Sequence, residues 1–201
     1  MKRVLLIVLS LLPLLGYAQP SQDVEMVDLG LSVYWASHNV GASTPEDIGY
    51  IFLWGDIVGC SPERFKEHAK LKIKGPTHLD CFTGNSEYDA ATAHWGGNWR
   101  TPTVEEIEEL IYECKWEKVK SETDDKKGKF CKVTGPNQNY IILPYTCEIL
   151  GRIMTSTVAA KSQETFLQYG QWFGLGDLVI FYYTHKGVQG LLGAVRPVMS
   201  K

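Results

Sequence analysis

The spacing of apolar residues changes period several times along the chain, and each change marks an element. Residues 27–29 predict a short strand that Gly30 ends. Leu31, Val33 and Trp35 then alternate with Ser32, Tyr34 and Ala36, the two-residue period of a half-buried strand. Thr44-Pro45-Glu46-Asp47 reads as a helix start: a hydroxyl cap, proline at the first helical position, then acids against the positive helix end. Gly49 is expected to stop that helix after about one turn. Residues 51–54 predict a short buried strand. The stretch 56–87 has little periodicity and reads as a long excursion with one helical turn over 62–69.

A second helical turn is expected at Ala90, Ala91 and Ala93, capped by Asp89. The turn His94-Trp95-Gly96-Gly97-Asn98-Trp99-Arg100 follows, and then the clearest helix. Thr103 and Glu106 form a capping box, in which each side chain satisfies the other's free backbone N–H. Val104, Ile107, Leu110, Ile111 and Cys114 share one face. Glu105, Glu108, Glu109 and Glu113 fall largely outside it, on a face expected to be solvated. Beyond the helix the pattern predicts strands at 115–120, 130–134, 140–143, 166–173, 178–184 and 194–198. The turns between the first three are 121–128 and Gly135-Pro136-Asn137. One long helix, short helical turns and many short strands predict an α+β domain.

The first residues have the three parts of an export signal: Lys2-Arg3, an apolar stretch over 4–15, and Gly16-Tyr17-Ala18. The apolar stretch is shorter than the roughly 20 residues that span a membrane. Cleavage is expected after Ala18. Residues 1–18 are then a signal peptide and 19–201 a single domain with no membrane span. Removing Lys2 and Arg3 from the 20 basic residues leaves 18 against 23 acidic, a net charge of −5 with neutral histidine. Such a domain has no basic face for phosphates, which argues against a nucleic-acid partner. Five cysteines follow, at 60, 81, 114, 131 and 147. An odd number leaves at least one thiol unpaired. Cys60 with Cys81 is the first pair to consider, and Cys114 is expected as a buried free thiol.

Patterns that carry catalysis are sparse. The histidines at 38, 68, 78, 94 and 185 show neither H-x-H nor H-E-x-x-H spacing, and no cysteines stand as C-x-x-C. The glycines of 170–176 do not open a helix after a strand, as a dinucleotide loop requires. No G-x-S-x-G is present. Neither a metal site nor a cofactor is expected.

Several motifs in order nevertheless resemble one family. They are Val27-Asp28-Leu29-Gly30-Leu31-Ser32-Val33-Tyr34-Trp35-Ala36, Asn39-Val40-Gly41-Ala42, Pro45-Glu46-Asp47, Phe52-Leu53-Trp54-Gly55, and the central run from Asp89 through Trp99-Arg100-Thr101-Pro102-Thr103. Glu109-Leu110-Ile111 with Cys114, Lys132-Val133-Thr134-Gly135-Pro136-Asn137, Ile142-Leu143-Pro144 and Val195-Arg196-Pro197-Val198 complete the set. Together they resemble an exported bacterial family, common in Bacteroidota and related to the Fibrobacter succinogenes major paralogous domain. The resemblance implies a C-type-lectin-like fold: one clear amphipathic helix, a second short helix, several short antiparallel strands and a long irregular loop region. It also implies a surface or extracellular module of a Gram-negative-type bacterium. Residues 153–157 and 145–147 depart from the family pattern, which has an aromatic-Trp-Ser-Ser motif at the first and small residues at the second.

A glycan or an envelope protein is the expected partner. The candidate contact residues are Gln168, Tyr169, Gln171 and Trp172, because rings cover apolar faces while amides read hydroxyls or backbone; the alternative is that Tyr169 and Trp172 fill the core of a strand. Trp35, Trp54, Trp95 and Trp99 are assigned to the core. The competing expectation is an exported enzyme that uses a cysteine thiol, of the formylglycine-generating or another kind.

Overall fold

The computed structural model describes residues 24–71, 73, 76, 79–120, 129–145, 152–157, 163–168, 181–186 and 192–201. They form a mixed α+β structure of three small sheets and short helices. In the first sheet β2 (Val33–Ala36) lies between β1 (Met26–Asp28) and β11 (Val198–Ser200), antiparallel to both. Trp35 faces Val27 on one side and Val198 on the other. The alternation expected of this segment holds through Trp35, with Leu31, Val33 and Trp35 buried and Ser32 exposed, but Ala36, expected on the outward side, is also fully buried.

The second sheet has the order β3-β10-β7-β8-β9. It contains β3 (Ile51–Leu53), β7 (Arg152–Met154), β8 (Gln163–Gln168), β9 (Phe181–Lys186) and β10 (Leu192–Ala194). Only β10 and β7 run parallel; the other pairs are antiparallel. The third sheet is a meander of β4 (Lys115–Lys120), β5 (Lys129–Thr134) and β6 (Tyr140–Tyr145). The single strand expected over 194–198 is in fact two, in different sheets. Pro197 has no N–H for a ladder, and the chain changes sheet around it.

Among the described residues, three α-helices interrupt the strands. A 3₁₀ turn at Pro62–Arg64 leads into α1 (Phe65–His68), within the predicted 62–69. The Asp89 carboxylate accepts hydrogen bonds from the first N–H groups of α2 (Ala90–Trp95). The reciprocal Thr103–Glu106 box starts α3 (Val104–Tyr112). Ile107 and Leu110 of α3 enter a core cluster with Leu29, Trp35, Val133 and Leu143, which joins the helix to the first and third sheets. A second cluster gathers Phe52, Trp54, Phe82, Trp95 and Val195. Each such side chain contributes about 1.5–3 kcal/mol on full burial.

Four further expectations need correction. The segment at Thr44 is a turn, not a helix. Asp47 N–H donates to the Thr44 carbonyl, and the Asp47 carboxylate accepts from Ser43 N–H, so the acid folds back locally. Cys60 and Cys81 are separate free thiols. Cys114 lies beyond the end of α3 and is half-buried, not buried. The acidic face of α3 is not simply solvated. Glu109 accepts a 2.9 Å bond from Ser32 N–H, tying the helix to the approach of β2.

Candidate functional site

The central run from Asp89 to Thr103 is mostly occupied with its own architecture. Asp89 is fully buried. Its two oxygens accept from Gly84 N–H at 2.7 Å, from Ala91 and Thr92 N–H at 3.0 and 3.3 Å, and from both N–H and hydroxyl of Thr101. Such an array compensates the loss of hydration of a buried carboxylate. Arg100 makes a two-pronged ion pair with Glu106, at 2.8 and 2.5 Å. That partner raises the Arg100 pKa above its ordinary value, against burial, which lowers it. Arg100 also exchanges both backbone bonds with Val198, which fastens the run to β11.

Between these anchors the chain turns sharply. Gly96 and Gly97 have φ of +63° and +58°, in the left-handed region that side chains disfavour. A Cβ at Gly84, Gly96 or Gly97 would meet nothing within 4 Å, so backbone conformation and not crowding selects glycine there. The turn leaves a cleft of about 490 Å³ beside it. Trp99, Arg100, Asn98, Thr92, Ser200 and Lys201 are among the residues that line it. Trp99 is half-buried and meets Trp95 edge to face at 5.4 Å. The Thr92 hydroxyl donates to the Trp99 carbonyl at 3.0 Å. Asn98 and Ser200 are exposed. Trp35, Trp54 and Trp95 are buried as expected, and Trp99 is partly buried, packed against the second core cluster while also lining the cleft.

A second cleft, of about 320 Å³, opens beside α1. At its base His68 donates from Nε2 to Asp56 at 2.6 Å, both side chains being almost fully buried. Asp56 also accepts from the N–H groups of Val58 and Gly59. Cys60, Val58, Leu71 and Ile73 contribute to the lining. Burial first, and then the Asp56 charge, push the Cys60 thiol above its ordinary pKa.

No protein-family model, curated protein or solved structure matches the chain.

Of the contact residues expected from the sequence, Gln168 ends β8, opposite Arg152 in β7 and Phe181 in β9. Tyr169, Gln171 and Trp172 lie outside the described residues. Among the described residues, no group of three or more His, Cys, Asp or Glu side chains is placed to hold a metal ion. In the same residues no helix is long and apolar enough to cross a membrane. The Trp99 cleft escaped the sequence reading because its aromatics sit in a motif whose other members are core. The available signal was Gly96-Gly97-Asn98, since a double-glycine turn places the next side chains at the surface.

Proposed function

We propose that this chain is an exported recognition or adhesion module of a bacterial cell surface, non-catalytic, with a C-type-lectin-like fold akin to the Fibrobacter succinogenes major paralogous domain. The observation that carries this reading is how the central run divides its work. Asp89, Thr101, Arg100 and Glu106 are committed to one another, and the intervening turn brings Asn98 and Trp99 to a cleft that Thr92 of α2 and Ser200 of β11 also line. Polar groups engaged in this way hold a rigid platform; reactive groups would need a free nucleophile or base. The amino-terminal Lys2-Arg3, apolar stretch and Gly16-Tyr17-Ala18 support export.

The test is a glycan array together with a pull-down of envelope proteins, using the processed chain. Specific binding is expected. Turnover of a substrate with no binding partner would overturn the reading.

One arrangement favours a thiol enzyme as the second reading: Cys60 shares a cleft with the buried His68–Asp56 pair. A raised thiol pKa opposes it, because the thiolate is the nucleophile. Iodoacetamide labelling of the folded protein decides. Rapid labelling of Cys60 at neutral pH, lost on His68→Ala, would favour catalysis; slow labelling would favour a binding role.

A further inference from the structure

We infer that the Trp99 cleft is a carbohydrate site that takes an uncharged sugar residue of a glycan. This rests on the recognition reading and narrows it to one site and one ligand class.

The cleft volume falls within the range of about 300–1,000 Å³ usual for small-ligand sites. Trp99 is part of the lining, and its ring is held edge to face against the buried Trp95 at 5.4 Å. A large, rigid ring offers contact area at low cost in side-chain freedom. Sugar rings have faces of C–H bonds that pack on such a surface. Around Trp99 stand groups that both donate and accept: the Asn98 amide, the Ser200 hydroxyl and the Thr92 hydroxyl. Thr92 spends its proton on the Trp99 carbonyl, which leaves its oxygen lone pairs for a ligand hydroxyl. Sugars offer hydroxyls in both roles, so this mixture suits them.

Charge selects the subclass. The two cations on the rim are already paired. Arg100 grips Glu106 with both terminal nitrogens, and Lys201 donates to Asp28 at 2.8 Å. An anionic sugar would have to compete with these carboxylates, whereas a neutral one would use Arg100 and Lys201 as neighbours without disturbing them. The glycines at 84 and 97 keep the lining low, because no side chain projects from either.

The test uses the processed chain, as wild type, Trp99→Ala, Asn98→Ala and Ser200→Ala. The probes are arrayed neutral oligosaccharides of glucose, galactose, mannose and N-acetylglucosamine, beside sialylated and uronic-acid glycans, at low and high salt. Neutral glycans are expected to bind with little salt dependence. Trp99→Ala should weaken binding about tenfold or more, and Asn98→Ala about threefold to tenfold. Asn98 and Ser200 are exposed, so their variants carry the test if Trp99→Ala fails to fold.

Binding confined to acidic glycans and abolished by salt would overturn the uncharged class. Neutral-glycan binding unchanged in all three variants would overturn the location. Specific capture of an envelope protein with no glycan bound would overturn this inference and leave the recognition reading intact. Neither glycan nor protein bound would remove both.

Discussion

Thr101 donates both its backbone N–H and its hydroxyl to the carboxylate of Asp89, the hydroxyl at 2.6 Å. The same carboxylate caps α2 and holds the N–H of Gly84. One side chain thus joins a loop, a helix start and the strand-like entry to α3. Asp89→Ala would leave several buried donors unpaired and is expected to cost about 3 kcal/mol or more. Thr101→Val removes one donor and should cost about 1–2 kcal/mol. In urea unfolding the double variant should lose less than the sum, because both substitutions delete the same bond.

Gly135 approaches the backbone of Leu29 so closely that an added Cβ would lie 1.9 Å from its carbonyl oxygen. A backbone atom cannot swing aside as a flexible side chain can. Gly135→Ala is expected to lower stability by roughly 2–3 kcal/mol. Gly84→Ala is the control. Its Cβ would meet nothing within 4 Å, but φ is +75°, so the loss should be about 1–2 kcal/mol. Equal losses in thermal or urea unfolding would show that crowding at Leu29 is unimportant.

Arg196 is fully buried and ties its own segment to residues 36–39 and to Ile142. Its Nε donates to Asn39 Oδ1 at 2.7 Å, Nη1 to the Ala36 carbonyl at 3.0 Å, and Nη2 to the Ile142 carbonyl at 2.8 Å. A planar fork reaches three directions; an ammonium on a single stem does not. Arg196→Lys should therefore be destabilising by about 2–4 kcal/mol despite conserving charge. A midpoint of urea unfolding within error of wild type would contradict this.

Burial pushes the Cys131 thiol up to about 12 and the Cys114 thiol up to about 11. Nearby Glu113 and Glu109 add to the Cys114 shift. The folded state thus holds these protons more tightly than the unfolded chain, whose thiols titrate near 8.5. Their contribution to stability is complete below that pH and falls as pH rises toward 11–12. Unfolding free energy should decline over that window, and the decline should be smaller in Cys131→Ala. At pH 8, Cys131 should resist labelling until the protein is unfolded.

Local spacing alone determined much of this protein. Thr103 and Glu106 are three residues apart, and the Asp89 cap acts on the next two or three N–H groups, so both helix starts were legible without a fold. The alternation at Leu31, Val33 and Trp35, and the first three strands after α3, were legible for the same reason. Pattern over a few residues reports which hydrogen bonds and which face a segment can offer. Tertiary structure decided the rest. Asp89 finds Thr101, Glu109 finds Ser32, and Arg196 finds Ile142 only when distant segments are packed together. The same packing buries Trp95 yet leaves Trp99 lining the cleft, because exposure of a ring depends on what the rest of the chain lays over it.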